Sequence, residues 1–180
     1  MQILSGRYSG FKLKPPPKRI RPTSGRVKES LFGIIQDRLS HASVLDLFAG
    51  TGSLGLEAIS AGADSCCFVD KSWKSISTIK ANIEKLSVIE QCQLINTSAK
   101  NYVKHYDNQP YDLIFLDPPY GKIDIDKLVY LIYKNKIITA DGLIVVEAKS
   151  DEKFSQMQSK IARQEKYGNT QLTFFLDEKK

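Results

Sequence analysis

The stretch "SVLDLFAGTGSLGLEA" (residues 43–58) decides the fold. It begins with an apolar run typical of a buried strand, passes through glycines at positions 50, 52 and 55, and continues with helical spacing. Three glycines so spaced between a strand and a helix match the fingerprint of a loop that lets a nucleotide-like cofactor approach the backbone. A tight turn without a ligand is the alternative. Asp70 argues against a ligand-free turn, because an acid at the end of the next strand-like run can bind the ribose hydroxyls of a cofactor.

Outward from this stretch, short apolar runs alternate with segments of helical period. Repeats of strand, helix and strand need crossover connections, so they predict a parallel sheet covered by helices on both faces. Near the carboxy terminus, "KIARQEKYGNTQLTFFL" (160–176) instead predicts an antiparallel hairpin that turns at residues 168–169. The sequence therefore predicts an α/β, Rossmann-like fold: a mostly parallel seven-stranded sheet, a C-terminal antiparallel hairpin and a small basic N-terminal extension.

Two local features of this sheet are also predicted. The fifth strand, "GLIVVEA", is expected to be entered from a turn at Asp141-Gly142. Ser72 is expected to cap the helix that follows the second strand. The residues predicted to share the buried face of that helix are Trp73, Ile76, Ile79, Ile83 and Leu86.

The net charge of +6 is concentrated at the amino terminus. Residues 1–40 carry nine basic and two acidic side chains, whereas the rest of the chain is nearly balanced. Although charge runs are usually solvated surface, this one is interleaved with Gly, Pro and aromatic residues, which favours a surface that faces nucleic acid. We predict a basic arm or hairpin over residues 1–22 and one catalytic domain over residues 23–180. The start of the helix near Thr23 should help to hold a phosphate.

Asp46 indicates which cofactor the glycine loop binds. It lies inside the first strand, so its charge is expected beside the glycine turn, where it would repel the pyrophosphate of a dinucleotide. A carboxylate there favours S-adenosylmethionine, which has no phosphate and carries sulfonium and ammonium groups. The pattern "LDLFAGTG" closely resembles the first motif of class I S-adenosylmethionine-dependent methyltransferases, which implies that fold and that cofactor.

The second chemical motif is "DPPY", Asp117 to Tyr120, after the fourth apolar run. The Asp117 carboxylate and the Pro118 carbonyl offer two acceptors to the hydrogens of an exocyclic amine, and Tyr120 can stack on a base turned out of its helix. A proline-rich turn with Asp117 as a cap is the structural alternative. The motif resembles that of amino methyltransferases acting on adenine N6, guanine N2, cytosine N4 or a glutamine amide, and by itself it leaves these targets open.

The front end, "SGRYSGFKLKPP…RPTSGRVKESLF", resembles the bacterial 16S ribosomal RNA guanine-N2 methyltransferases. That resemblance implies methyl transfer to the N2 amine of a guanine in the small ribosomal subunit. It implies a catalytic set of Asp117, Pro118 and Tyr120. It implies a cofactor-binding set of Asp46, Phe48, Gly50, Gly52, Asp70, Ser98, Ala99 and Asp117. It implies an RNA-binding set of Arg7, Arg21, Thr23 and Arg26. Ser98 stands where such enzymes often carry an acid.

Other classes of function are disfavoured. No apolar run approaches the roughly 20 residues of a membrane span, and the amino terminus does not resemble a signal peptide. We therefore expect a cytoplasmic protein. The cysteines and histidines lack metal-ligand spacing, so we expect no metal, and we expect a monomer. Two alternatives remain: an adenine-N6 methyltransferase of DNA or RNA, and a catalytically inactive RNA-binding protein of the same fold.

Overall fold

The computed structural model describes residues 1–15, 25–121 and 123–176 of the 180-residue chain. Five helices and seven strands follow one another in these ranges. The helices are α1 (Gly25–Ile34), α2 (Ser53–Ser60), α3 (Trp73–Leu86), α4 (Ala99–Lys104) and α5 (Ile125–Lys134). The strands are β1 (Ser43–Asp46), β2 (Ser65–Asp70), β3 (Cys92–Asn96), β4 (Tyr111–Leu116), β5 (Ile138–Lys149), β6 (Ile161–Tyr167) and β7 (Thr170–Leu176). No helix within the described residues combines the length and apolar character needed to cross a bilayer.

The strands form one sheet in the order β3-β2-β1-β4-β5-β7-β6. The first five are parallel, whereas β7 runs antiparallel to both β5 and β6. The predicted α/β sheet with its C-terminal hairpin is therefore confirmed. The strand order reverses between β1 and β4, and ligands of such sheets bind beyond the carboxyl ends of the strands at that point.

Helices cover both faces of the sheet, as its apolar strands require. One face packs against α1, α2 and α3, through fully buried side chains such as Leu31, Leu56 and Ile79. The other packs against α4 and α5, where Val103 and Val129 have no exposed surface. Three helix starts in the described residues use side-chain caps. The Ser72 hydroxyl accepts from Ser75 N, as predicted, the Ser98 hydroxyl accepts from Asn101 N, and the Asp124 carboxylate accepts from Lys127 N.

Within the arm predicted over residues 1–22, residues 1–15 form one antiparallel bridge, between Gln2 and Lys12, around a 3-10 turn at Gly6–Tyr8, and residues 16–22 lie outside the described part of the chain. This hairpin packs on the sheet domain, because Ile3 and Leu13 belong to the core beneath α1 and α2. The Glu57 carboxylate of α2 accepts hydrogen bonds from Leu4 N and Ser5 N at 2.8 Å each. The hairpin is thus anchored to the helix that follows the glycine loop.

A buried ion pair completes this anchor. Lys28 Nζ of α1 lies 2.7 Å from Glu57 Oε2, with side chains 4% and 0% exposed. The same ammonium donates to Gln2 O at 2.8 Å and contacts Ser53 Oγ at 3.3 Å. Its charge and donors are therefore satisfied without water, which is the condition under which a buried ion pair is tolerated.

Two local predictions are wrong. Trp73 is 71% exposed, although Ile76, Ile79, Ile83 and Leu86 of the same predicted face are buried. Trp73 is the first residue of α3, and helical side chains lean towards the amino terminus, so its ring extends past the edge of the core.

The predicted turn at Asp141-Gly142 lies instead inside β5, which begins at Ile138. The register of β5 against β4 shifts there, between the pairs Tyr111–Ile138 and Leu113–Leu143. A Cβ on Gly142 would lie 2.6 Å from Ile138 Cγ1, so this close approach needs glycine.

Candidate active site

A cleft of about 1370 Å³ opens beyond the carboxyl ends of β1, β2 and β4. This volume exceeds the roughly 300–1,000 Å³ of a usual small-molecule site, so the cleft has room for a cofactor and a base together. Asp46, Gly50 and Asp70 line one part, and residues 117–120 line another. The structure thus brings the two sequence motifs into one cavity.

The glycine loop is held by the two acids that flank it. Gly50 and Gly52 have φ values of 55° and 78°, which glycine adopts without strain. Asp70 Oδ2 accepts from Gly50 N at 2.9 Å, and Asp46 Oδ2 accepts from Gly55 N at 3.1 Å in the first turn of α2. Backbone amides that a phosphate-binding loop would present to its ligand are therefore occupied by the protein's own carboxylates.

Asp46 is more deeply placed than the sequence indicated. Only 2% of its surface is exposed. Burial raises its pKa to about 7; the hydrogen bond from Gly55 N opposes this rise and the charge of Asp70 adds to it. Near neutral pH, Asp46 therefore exchanges between its charged and neutral forms, and a cation in the cleft would favour the charged form.

These features fit an S-adenosylmethionine type of cofactor better than a dinucleotide. Acids flank the loop, and a Cβ on Gly50 would meet only Phe48 O, at 3.8 Å, so the backbone there faces open space. Phe48, Ser98 and Ala99 also line the cleft. The Ser98 hydroxyl caps α4 by accepting from Asn101 N at 3.2 Å, which leaves its own hydrogen available to a ligand.

The second motif leaves β4 and enters the cleft directly. Pro118 is buried, whereas Asp117 and Tyr120 are half-buried and Pro119 is exposed. Tyr120 Oη lies 3.2 Å from Thr170 Oγ1, at the start of β7. The hydroxyl end of Tyr120 is thus fixed by the C-terminal hairpin, with the residue still on the wall of the cavity.

The predicted RNA-binding residues are only partly brought together. Arg26 is exposed and lines the cleft, together with Lys71, Lys100, Lys127 and Lys166. Arg7 is exposed elsewhere, with its guanidinium carbon 5.5 Å from the centre of the Tyr8 ring. Arg21 and Thr23 lie outside the described residues, so their predicted roles stay predictions.

Sequence reasoning missed two parts of the cleft wall. Residues 166–170, the turn of the C-terminal hairpin, form one part, and the Tyr167 hydroxyl is hydrogen-bonded to Ser30 Oγ of α1. The other is Glu147 near the end of β5. No local pattern marks the hairpin turn as part of a site. An acid inside the apolar run "GLIVVEA" is the same signal that identified Asp46.

No group of His, Cys, Asp and Glu side chains in the described part of the chain is arranged to hold a metal ion.

Comparison with known proteins places the chain in a family. A family model described as conserved hypothetical protein 95 matches residues 1–176. Ribosomal RNA small subunit methyltransferase D of Haemophilus influenzae is 34% identical, over 84% of this chain and 80% of that protein. YlbH of Bacillus subtilis is 33% identical, over 97% of this chain and 98% of the relative. The solved structure of yhhF from Escherichia coli superposes with a TM-score of 0.86 at 27% identity, covering 97% of this chain and 96% of that one. The predicted resemblance to small-subunit ribosomal RNA methyltransferases is confirmed, and the chain belongs to the family described as conserved hypothetical protein 95.

Proposed function

We propose that this protein transfers a methyl group from S-adenosylmethionine to the exocyclic N2 amine of a guanine in 16S ribosomal RNA, within the small ribosomal subunit. The observation that carries the proposal is the single cleft in which the acid-flanked glycine loop meets the Asp-Pro-Pro-Tyr loop. A relative named ribosomal RNA small subunit methyltransferase D supports the class of substrate. The basic amino-terminal segment supports an RNA partner.

One half of the cleft would hold the cofactor. Asp70 would accept from the ribose hydroxyls, since each carboxylate oxygen that already binds a backbone amide has a further lone pair. Asp46 would face the cationic methionine end, and Ser98 with Ala99 would border the adenine. When bound, S-adenosylmethionine supplies an electrophilic methyl group on a positively charged sulfur.

The other half would hold the amine. The lone pair of guanine N2 is delocalised into the ring, so the nitrogen is a poor nucleophile in its planar form. The Asp117 carboxylate and the Pro118 carbonyl would accept its two hydrogens, which favours pyramidal geometry and offsets the positive charge that develops on nitrogen. Neither Pro118 nor Pro119 has an N–H, so this loop presents acceptors without competing backbone donors. After the N–C bond forms, the nitrogen loses one hydrogen as a proton, for which Asp117 is the nearby acceptor.

Tyr120 would position the base. An aromatic ring on the cavity wall can stack on a nucleobase that has left its helix, and such stacking contributes about 1–3 kcal/mol. The contact between the hydroxyls of Tyr120 and Thr170 restrains the ring, so part of the orientation is set before RNA binds. Arg26 at the rim would contact phosphate, together with Arg21, Thr23 and the more distant Arg7.

The test is transfer of a labelled methyl group from S-adenosylmethionine to three substrates: undermethylated small subunits, naked 16S ribosomal RNA and double-stranded DNA. The proposal predicts label in 16S ribosomal RNA. Label confined to DNA would instead support an adenine-N6 methyltransferase. RNA binding without label in any substrate would support an inactive RNA-binding protein. Either result would refute the proposal.

A further inference from the structure

Glu147 is a buried acid in the cleft that the chemistry described above does not use. It belongs to β5, is 8% exposed and lines the same cavity as Asp117 and Tyr120. Acids are seldom this buried in a strand core without a specific role, since removing a carboxylate from water is costly. The mechanism needs the Asp117 carboxylate but gives no reason for a second one.

The sheet places Glu147 beside Asp117. The parallel pairing of β4 and β5 runs to Leu116 and Val146, and Asp117 and Glu147 are the next residue of each segment. Neighbouring strands are about 4.8 Å apart, so residues at the same level of a sheet are adjacent. Side chains alternate along a strand, which puts Glu147 on the same face of the sheet as Val145, the face that α1, α2 and α3 cover.

Guanine has a donor that a second carboxylate could bind. Its N1–H lies next to the N2 amine on the Watson–Crick edge, so a base that presents N2 to Asp117 also presents N1–H in the same direction. Adenine has a lone pair at N1 instead, which a carboxylate repels. Enzymes that extrude a base commonly read it through hydrogen bonds to this edge.

We propose that Glu147 determines specificity by accepting a hydrogen bond from N1–H of the target guanine, while Asp117 and Pro118 bind the N2 amine. This inference rests on the proposed function and extends it to the choice of base. It accounts for the position of a buried acid at the level of Asp117 and for the preference for guanine over bases whose N1 is an acceptor.

The test pairs a protein change with a base change. The target guanine, once mapped, is replaced by 2-aminopurine in a ligated ribosomal RNA assembled into small subunits. This base keeps the N2 amine but has an acceptor at N1 and no O6. The unaltered protein should favour guanine over 2-aminopurine by about 100-fold or more in kcat/KM, because the Glu147 carboxylate, which can only accept a hydrogen bond, would face the N1 lone pair of 2-aminopurine.

Glu147→Gln should lower kcat/KM for guanine by roughly 10- to 100-fold, the usual effect of losing a charge-assisted hydrogen bond. The same change should raise kcat/KM for 2-aminopurine, because the glutamine amide can donate to its N1. The ratio of kcat/KM for guanine to kcat/KM for 2-aminopurine should therefore be more than tenfold smaller in Glu147→Gln than in the unaltered protein. Loss of O6 is common to both proteins, so the change in preference reports on N1. Affinity for S-adenosylhomocysteine should stay within about twofold. Exposed Glu90→Gln is the matched control.

The outcomes separate the two proposals. If Glu147→Gln methylates guanine with an unchanged preference, Glu147 does not read N1 and only this inference fails. If the altered protein does not fold, equal activity of the unaltered protein on guanine and 2-aminopurine would still overturn the inference. Rejection of 2-aminopurine by about 100-fold or more would support it, because the loss of one neutral contact to O6 accounts for roughly tenfold at most. If the unaltered protein does not methylate guanine N2 at all, the proposed function fails and this inference fails with it.

Discussion

Cofactor affinity should depend on pH through Asp46. This carboxyl is buried at the carboxyl end of β1, beside the glycine loop, and burial raises its pKa to about 7. If the cationic end of S-adenosylmethionine binds the carboxylate form, protonation of Asp46 removes the binding-competent state. Affinity should then rise as the pH is raised through about 7.

The size of this effect follows from the position of the pKa. The observed dissociation constant is the intrinsic one divided by the competent fraction, which is roughly 0.9 at pH 8 and roughly 0.1 at pH 6. Cofactor binding should therefore be about tenfold weaker at pH 6 than at pH 8, which is a loss of about 1.4 kcal/mol in binding free energy. The stability of the cofactor-free protein should depend on pH in the opposite direction. An acid whose pKa is raised in the folded state stabilises that state less as the pH rises from its ordinary 3.8 towards about 7.

Isothermal titration calorimetry with S-adenosylmethionine between pH 6 and pH 8.5 measures the effect. Binding at pH 7, repeated in two buffers of different ionisation enthalpy, should release about half a proton per cofactor. Asp46→Asn is the matched control, because an amide oxygen can still accept from Gly55 N but does not titrate. A pH-independent affinity in the unaltered protein, or the same pH dependence in Asp46→Asn, would refute the reasoning.

Three further changes test other parts of the structure. Lys28→Met should lower the free energy of unfolding, measured in urea, by about 3–5 kcal/mol, because it leaves the fully buried Glu57 carboxylate without its ion partner. The control Lys80→Met, in an exposed pair, should change this free energy by less than about 0.5 kcal/mol, and equal effects of the two changes would contradict the role of the buried pair. Asp117→Ala should abolish methyl transfer but leave most of the affinity for S-adenosylhomocysteine, measured by calorimetry, because its main acceptor role is toward the substrate amine; an active variant would remove Asp117 from catalysis. Arg26→Ala should weaken RNA binding and reduce the slope of log affinity against log salt by about one, and an unchanged slope would show that Arg26 does not contact phosphate.

The parts of the fold that depend on local pattern could be read from the sequence. Strand and helix periods, the Ser72 cap and the turn at residues 168–169 all follow from neighbouring residues, and the structure confirms each. The cleft was also predictable, because parallel strands must end at one edge of the sheet. Acids that end such strands, as Asp70 does, therefore meet there.

Features that depend on contacts between distant segments could not be read in this way. Leu4 N binds Glu57, 53 residues away, and Tyr120 meets Thr170, 50 residues away. Helical period alone placed Trp73 on the buried face, whereas its exposure depends on where the core ends relative to the first turn of α3. Glu147, like Asp46, is visible in the sequence as an acid in an apolar strand. Its position next to Asp117 follows only from the register of β5 against β4, which the sequence does not give.

Mapping the methylated nucleoside tests the central claim most directly. Undermethylated small subunits are incubated with the protein and S-adenosylmethionine, and the 16S ribosomal RNA is digested and analysed by mass spectrometry. The account predicts N2-methylguanosine at one position, present with the unaltered protein and absent with Asp117→Ala. A methyl group on adenine N6, on cytosine N4 or on a ribosomal protein, with guanine N2 unmodified, would contradict it.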